Sequence, residues 1–201
     1  MNRLKDIVKC YEAMKLAERR SVLATVVKAG GALHQSLGSR LMFHEDGTTT
    51  GSMGDEELQN FLTERARKMF DSEGPRTVSF SPTTPAHVDQ ATGSVAHILL
   101  EPLPMSARSI HLRFIADCVH SGKSGIVASV FRVDGEFKAW IGTHVFLYED
   151  GKIEEDVRNP VLTAAMAADC ARALQSRSSF VSEYRFTEGV VEAFIEFIAG
   201  S

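Results

Sequence analysis

The sequence has 201 residues, an apolar content of 44%, a charged content of 24% and a formal net charge of −4. This charge lacks the basic excess that a nucleic-acid-binding surface requires, and no apolar run approaches the ~18 residues of a membrane-spanning helix. Residues 1–20 carry charges throughout, and the 3 cysteines are far apart in the chain. We therefore expect no signal peptide, no disulfide and a cytoplasmic protein that binds neither nucleic acid nor membrane.

Alternating helical and strand patterns predict the elements of the first half. Apolar residues at helical spacing predict a helix over 3–19, and a β-branched run predicts a buried strand over 21–27. A loop at 33–35 follows a glycine pair, and Asp46-Gly47 predicts a hairpin. Asp55 is the expected N-cap of the next helix. The remaining predicted strands are the hairpin strands 39–44 and 48–53, then 75–80 and 97–103, the last ended by Pro102 and Pro104.

The second half of the chain repeats the first at a constant shift of 104 residues. From Ala24 to Gly47 the shift gives 7 identities in 24 positions, including Gly38 on Gly142. Internal repeats of this kind indicate duplication of one structural unit. The repeat predicts a helix over 106–121 capped by Ser106, strands at 125–132, 142–148 and 152–157, a helix from Pro160 capped by Asn159, and strands at 179–186 and 190–197.

These elements predict an α+β protein built from two homologous α-β-β-β-α-β-β units. We expect unit boundaries at 1–104 and 105–201, mixed sheets, and packing of both units as one pseudo-twofold body, because a unit of ~100 residues is small for an independent domain.

An ordered series of motifs resembles the N-terminal domain of the XdhC/CoxI family. The motifs are Ala24-Thr25-Val26-Val27, Gly31, Gly38-Ser39-Arg40-Leu41, Asp46-Gly47, Gly51-Ser52-Met53 and Leu99-Leu100-Glu101-Pro102. The resemblance implies a protein that assists the maturation of xanthine dehydrogenase and related molybdenum hydroxylases by handling their molybdopterin cofactor. The second unit resembles a degraded second copy and stands where the family has a C-terminal Rossmann domain.

The resemblance also implies where such a cofactor would bind. In the family a glycine-rich turn opens a helix, and such a turn offers N–H groups and a positive dipole to a phosphate. Here that helix opens with Asp55, Glu56 and Glu57, the last in place of a family cysteine, and the second family cysteine is missing at Thr92-Gly93-Ser94. Acidic residues there repel an anion. The implied cofactor-binding residues are Gly31, Gly38, Arg40, Gly51, Ser52 and Glu57.

Other chemically suggestive residues have simpler interpretations. Cys118 lies near Asp117 and His120 but falls on the apolar helix face, which indicates a buried packing cysteine. His87 and Asp89 lie in a long polar loop, where an ordinary surface histidine is the simpler interpretation. Trp140 and Phe137 would either stack on a pterin ring or fill space between units or subunits.

The sequence therefore predicts an accessory protein, not an enzyme, that binds or chaperones molybdenum cofactor or its target hydroxylase and that forms a homo-oligomer. It assigns no catalytic residue and no metal ligand. One alternative is a cofactor-free interaction or oligomerisation module descended from the family. Another is a metal-dependent enzyme that uses the loop of His87 and Asp89 together with Glu57.

Overall fold

The computed structural model describes residues 3–17, 19–71, 74–82, 94–103 and 109–200. The chain divides into two compact units, Met1–Arg108 and Ser109–Ser201. Unit 1 contains helix α1 (Arg3–Ala17), strand β1 (Ser21–Ala29), a 3-10 helix (Gly31–Ser36), strands β2 (Arg40–His44) and β3 (Thr49–Gly51), helix α2 (Glu56–Met69), and strands β4 (Arg76–Phe80) and β5 (Ala96–Leu103).

Unit 2 follows the same order of elements. It contains helix α3 (Ile110–Ser121), strands β6 (Gly125–Gly135), β7 (His144–Tyr148) and β8 (Ile153–Glu155), helix α4 (Pro160–Ser176), and strands β9 (Phe180–Phe186) and β10 (Gly189–Ile198).

Each unit is built on one five-stranded sheet. The strand order is β3-β2-β1-β5-β4 in unit 1 and β8-β7-β6-β10-β9 in unit 2, so the two sheets have the same topology. Every pairing within the described strands is antiparallel, and the expectation of mixed sheets was wrong. The last strand of each unit returns beside the first strand in the opposite direction, which leaves no parallel neighbours.

The core of each unit fills the space between its sheet and its second helix. Alternate residues of a strand point to the same face of the sheet, and those of β1 and β6 on that face are completely buried. In the helix the buried positions recur at a spacing of three or four residues. The central members of the two cores are Val22, Ala24, Val26, Leu58 and Leu62 in unit 1 and Ile126, Ala128, Val130, Leu162 and Met166 in unit 2.

Backbone hydrogen bonds repeat at the shift of 104 residues that relates the two half-sequences. They recur in the central strands, in the hairpins and at the turn before the second helix. The prediction of two homologous units is therefore confirmed, while their pseudo-twofold packing stays a prediction. Examples are Gly38 N–H to Val26 O (2.9 Å) with Gly142 N–H to Val130 O (2.8 Å), and Ser52 N–H to Arg40 O (3.2 Å) with Asp156 N–H to His144 O (3.1 Å).

The helix caps and strand irregularities repeat as well. Asp55 accepts a hydrogen bond from Leu58 N–H at 2.8 Å, and Asn159 accepts one from Leu162 N–H at 3.1 Å, so both predicted N-caps are confirmed. A bulge interrupts the register at Val27 in β1, and the corresponding bulge in β6 lies 104 residues later.

Several boundaries differ from the prediction. Helix α3 begins at Ile110, and its cap is Ser109, whose side chain accepts from Leu112 N–H; the proposed cap Ser106 lies outside the described residues. The expected loop at 33–35 is part of a 3-10 helix. Strand β5 begins at Ala96, one residue before the predicted start, and ends at Leu103 as predicted. Within the described residues, no helix is long and apolar enough to cross a membrane.

Candidate functional site

The loop that leaves β1 begins with a glycine that has no room for a side chain. Gly31 adopts φ +60°, and a Cβ atom there would lie 2.6 Å from Ser94 Oγ. The same hydroxyl accepts a hydrogen bond from Ala32 N–H at 3.2 Å. The start of the 3-10 helix therefore lies directly against the residue that precedes β5. Glycine is required here by backbone conformation and by close approach.

The loop ends at Gly38, which leads into the buried Arg40. Gly38 has φ +75° and donates its N–H to Val26 O, closing the loop onto β1. Its own carbonyl accepts from Arg40 Nη1 at 3.1 Å. Arg40 is only 4% exposed, so its guanidinium is held inside the unit, with Nη1 on the carbonyl of Gly38. Arg40 therefore stabilises the loop from inside.

Gly51 and Ser52 lie beside the backbone of Arg40. Gly51 has φ +101°, and a Cβ atom there would be 2.5 Å from Arg40 O and 3.0 Å from Ile7 Cδ1. Ser52 donates its N–H to the same carbonyl at 3.2 Å, and its hydroxyl accepts from Gly54 N–H at 3.1 Å. The structure thus brings Gly38, Arg40, Gly51 and Ser52 together through main-chain contacts.

Glu57 belongs to a different local structure, the first turn of α2. Asp55 caps this helix, and Glu56 and Glu57 follow it. Three carboxylates at the positive end of a helix dipole stabilise the helix, and Asp55 accepts a hydrogen bond from Leu58 N–H, which makes this end unfavourable for a bound anion. The helix-terminus phosphate site of the family pattern is therefore replaced here by an acidic turn.

A small cavity of about 160 Å³ adjoins the loop and α1. Ligand sites usually enclose about 300–1,000 Å³, so this space is smaller than a pterin site requires. It is lined by Leu4, Ile7, Leu37, Gly38, Ser39 and Arg40. Together with the acidic turn, its size means that this cavity does not by itself enclose a phosphate-bearing pterin.

Unit 2 keeps the backbone of this region but not its side chains. His144 stands at the position of Arg40, and Asp156, at the position of Ser52, accepts a hydrogen bond from His144 N–H. The ring of His144 lies 4.7 Å from that of His111 on α3. Both rings are buried. Sequence spacing did not reveal this pair, because the two residues are 33 positions apart and meet only through helix–sheet packing.

The aromatic residues singled out in the second loop separate in the structure. Phe137 stacks on Phe186 within unit 2, with ring centroids 4.1 Å apart, whereas Trp140 is 57% exposed. Phe137 is therefore a packing residue of its own unit, and Trp140 offers its ring to solvent.

Of the remaining candidate residues, the structure describes Cys118. Cys118 is buried, and burial raises the pKa of its thiol to about 11. A thiol with that pKa is neutral and a poor nucleophile near neutral pH, which confirms the prediction of a packing cysteine. His87 and Asp89 lie outside the described residues.

The candidate site lies in the part of the chain that matches a known protein family. Residues 15–81 match the model of the XdhC and CoxI family. The first unit therefore contains a segment similar to this family. The matched segment includes Gly31, Gly38, Arg40, Gly51, Ser52 and Glu57. The resemblance recognised in the sequence is therefore confirmed over the segment that contains these residues.

Two individual proteins are similar to this chain over a longer stretch than the family model matches. A probable xanthine dehydrogenase subunit of Bacillus subtilis (strain 168) is 22% identical over 144 residues, which is 70% of this chain and 41% of that protein. The crystal structure of a xanthine dehydrogenase from Bacillus halodurans matches with a TM-score of 0.63 and 19% identity, over 96% of this chain and 53% of that one. The chain thus spans about half or less of these relatives' length, and the structural likeness establishes the fold.

Proposed function

We propose that this chain is an accessory protein in the maturation of a molybdenum hydroxylase and that it acts by contacting the hydroxylase. The match of residues 15–81 to the XdhC and CoxI family carries the proposal. The name of the similar Bacillus subtilis protein, a probable xanthine dehydrogenase subunit, supports an association with an enzyme of that class.

Two features of unit 1 favour protein contact over retention of the cofactor. The first turn of α2 presents Asp55, Glu56 and Glu57, which repel a phosphate at the place where the family pattern has glycines. The cavity beside Arg40 is about 160 Å³, and the guanidinium is engaged with the carbonyl of Gly38. A carboxylate-rich turn in which Glu56 is exposed and Asp55 and Glu57 are half-buried suits contact with a basic protein surface.

Cofactor binding is the second candidate function. It is favoured by the buried guanidinium of Arg40 beside Gly38 and Gly51, because glycines allow close approach of a ligand to the backbone. In this proposal Gly31, Gly38, Arg40, Gly51, Ser52 and Glu57 form a binding surface for molybdopterin. The group would supply the metal-binding dithiolene, and this chain would supply only orientation and shielding.

One purification separates the two candidates. The full chain is produced in a host that makes molybdopterin, together with the hydroxylase from the same organism. Protein contact predicts that the hydroxylase co-purifies whether or not the host can make the cofactor. Cofactor binding predicts pterin fluorescence after oxidation of the chain purified without the hydroxylase.

Matched variants assign the result to the site. Arg40→Gln should abolish the fluorescence if unit 1 binds the pterin, and His144→Gln, its counterpart in unit 2, should leave it intact. Glu56→Lys with Glu57→Lys should weaken capture of the hydroxylase if the acidic turn makes the contact. Lack of both hydroxylase capture and pterin would refute an accessory role of either kind.

A further inference from the structure

The tip of the first hairpin in unit 1 is neutralised by an arginine from the same unit. Arg20, immediately before β1, donates from Nε to Glu45 Oε2 at 3.0 Å and from Nη2 to Glu45 Oε1. Its Nη1 also donates to Phe70 O at 3.3 Å. Such a two-pronged contact is the preferred geometry of a guanidinium with a carboxylate. Hydrogen bonding from Arg20 lowers the pKa of Glu45.

Unit 2 has the same hairpin without that arginine. The shift of 104 residues places Ser124 on Arg20 and Glu149 on Glu45. The Glu149 carboxylate accepts a hydrogen bond from Ser124 N–H at 3.1 Å. The Ser124 side chain is uncharged, so it cannot form the ion pair that Arg20 forms with Glu45. In addition, Asp117 on α3 stands where α1 has Ala13. At this hairpin, unit 2 therefore lacks the guanidinium of Arg20, although it has Lys152 where unit 1 has Thr48.

These differences border a cavity of about 470 Å³ at the C-terminal end of α3. Its volume lies within the range of about 300–1,000 Å³ that is usual for ligand sites. Three carboxylates and one ammonium give the lining a net charge of −2, with His120 neutral. The lining residues are Asp117, Cys118, His120, Ser121, Lys123, Ser124, Tyr148, Glu149 and Asp150.

Two neighbouring features make the cavity more favourable for a cation. Helix α3 ends beside the cavity, with Gly122 as its C-cap. The C-terminus of a helix attracts positive charge. Burial, together with the carboxylates of Glu154 and Asp117, raises the pKa of Tyr148 to about 12. The phenol therefore remains neutral; its hydroxyl donates to Asp117 Oδ2 at 3.5 Å, and Lys152 Nζ lies 5.1 Å from its ring centroid.

We propose that this cavity binds an arginine side chain of a partner protein, whose guanidinium takes the role in unit 2 that Arg20 has in unit 1. Unit 1 shows that a carboxylate at this hairpin position accepts a guanidinium in two-pronged geometry. Arginine fits better than lysine, since its planar fork can bond the carboxylates of Glu149 and Asp117 together. The cavity would bind the guanidinium in this way whichever protein the chain assists.

The proposal can be tested by NMR titration of the full isotope-labelled chain. The probe is arginine blocked at both ends, and the control is blocked citrulline, which has nearly the same shape but no charge. Binding should produce saturable shifts of the amides of residues 117–124 and 148–151 with arginine only. Lack of saturation, or an equal response to citrulline, would overturn the proposal.

Three variants locate the site. Ser124→Arg rebuilds the internal pair of unit 1 and should weaken probe binding by about tenfold or more, since it supplies a competing guanidinium. Both substitutions remove the hydrogen bond from Gly200 N–H to the serine hydroxyl. Ser124→Ala should nevertheless bind the probe like the wild type, because it adds no guanidinium.

Glu149→Gln should weaken binding without filling the cavity and decides the question if Ser124→Arg does not fold. Full affinity in a folded Ser124→Arg protein, or in Glu149→Gln, would contradict the proposal.

Discussion

The two units build the same turn from different residues. At the end of β3, Gly51 and Ser52 return the chain toward α2; at the end of β8, Glu155 and Asp156 occupy those positions. In both units the second residue donates its N–H to the first residue of the neighbouring strand. Main-chain hydrogen bonds thus preserve the path of the chain while the side chains along it change. A shared fold is therefore no reason to transfer a binding site from one unit to the other.

The largest difference between the units should appear at Gly51. Alanine there combines φ +101° with a Cβ atom 2.5 Å from Arg40 O, so we expect Gly51→Ala to lower the free energy of unfolding by about 3 kcal/mol. Glu155→Ala, at the exposed counterpart, should change it by less than about 0.5 kcal/mol. Denaturant titrations of both variants measure the effects, and similar values would contradict a requirement for positive φ at Gly51 that Glu155 does not share.

A second pair of substitutions tests where the units are equivalent. Gly38 and Gly142 have φ +75° and +78° and make matching hydrogen bonds to β1 and β6. Valine at either position should destabilise the protein by roughly 2–3 kcal/mol, because β-branched residues are strained at positive φ. The measurement is again denaturant unfolding. If only one substitution is harmful, the two loops do not impose the same backbone requirement.

A smaller effect is expected at the residue before each N-cap. Gly54 and Arg158 are both left-handed, with φ +77° and +56°, but only Gly54 is a glycine. We expect Arg158→Gly to stabilise the protein by about 0.5–1 kcal/mol by relieving strain. Gly54→Ala should destabilise it by a similar amount, since a Cβ atom there meets no neighbour within 4 Å. If both variants shift the midpoint of thermal unfolding in the same direction, the two positions do not share left-handed strain.

The smallest expected difference is in the response to acid. His44 is buried and lies 2.8 Å from Ser21 Oγ, and burial lowers the pKa of its ring. The unfolded chain takes up a proton near pH 6.5, whereas the folded chain resists it. This contribution to stability is complete above about pH 6.5 and is lost as the pH falls below it. Its counterpart Tyr148 has a pKa of about 12 and does not titrate in that window.

Chemical denaturation at pH 7.5 and pH 5.5 measures that response. His44→Gln should reduce the loss of stability between the two pH values, because glutamine keeps a hydrogen-bonding side chain and does not titrate. An unchanged loss would show that other groups cause the acid sensitivity.

Much of the fold could be predicted from the sequence because its signals are local. Asp46-Gly47 and Asp150-Gly151 determine their hairpins through turn geometry, and Asp55 and Asn159 cap their helices within one turn. The start of α3 was misplaced because Ser106 follows Pro104 as a plausible cap, whereas the described helix begins at Ile110 and is capped by Ser109. The sheets were expected to be mixed because strand order depends on contacts between distant segments.

The candidate site was predictable only as a list of residues. The family pattern led to Gly31, Gly38, Arg40, Gly51, Ser52 and Glu57, and four of these, Gly38, Arg40, Gly51 and Ser52, meet in the structure. The sequence did not reveal that the carbonyl of Arg40 accepts from Ser52 N–H, or that Ser94 closes against Gly31. The cavity near Ser124 also escaped prediction, since the repeat alignment does not show that Arg20 pairs with Glu45.

The sequence by itself determined the duplication, the order of helices and strands, the turns and two of the caps, because each depends on neighbours along the chain or on identity between the halves. Only the tertiary structure decided which glycines oppose a carbonyl, which histidines meet and which carboxylates share a cavity. Those arrangements depend on strand order and helix packing, and they bring together atoms whose residues are tens of positions apart.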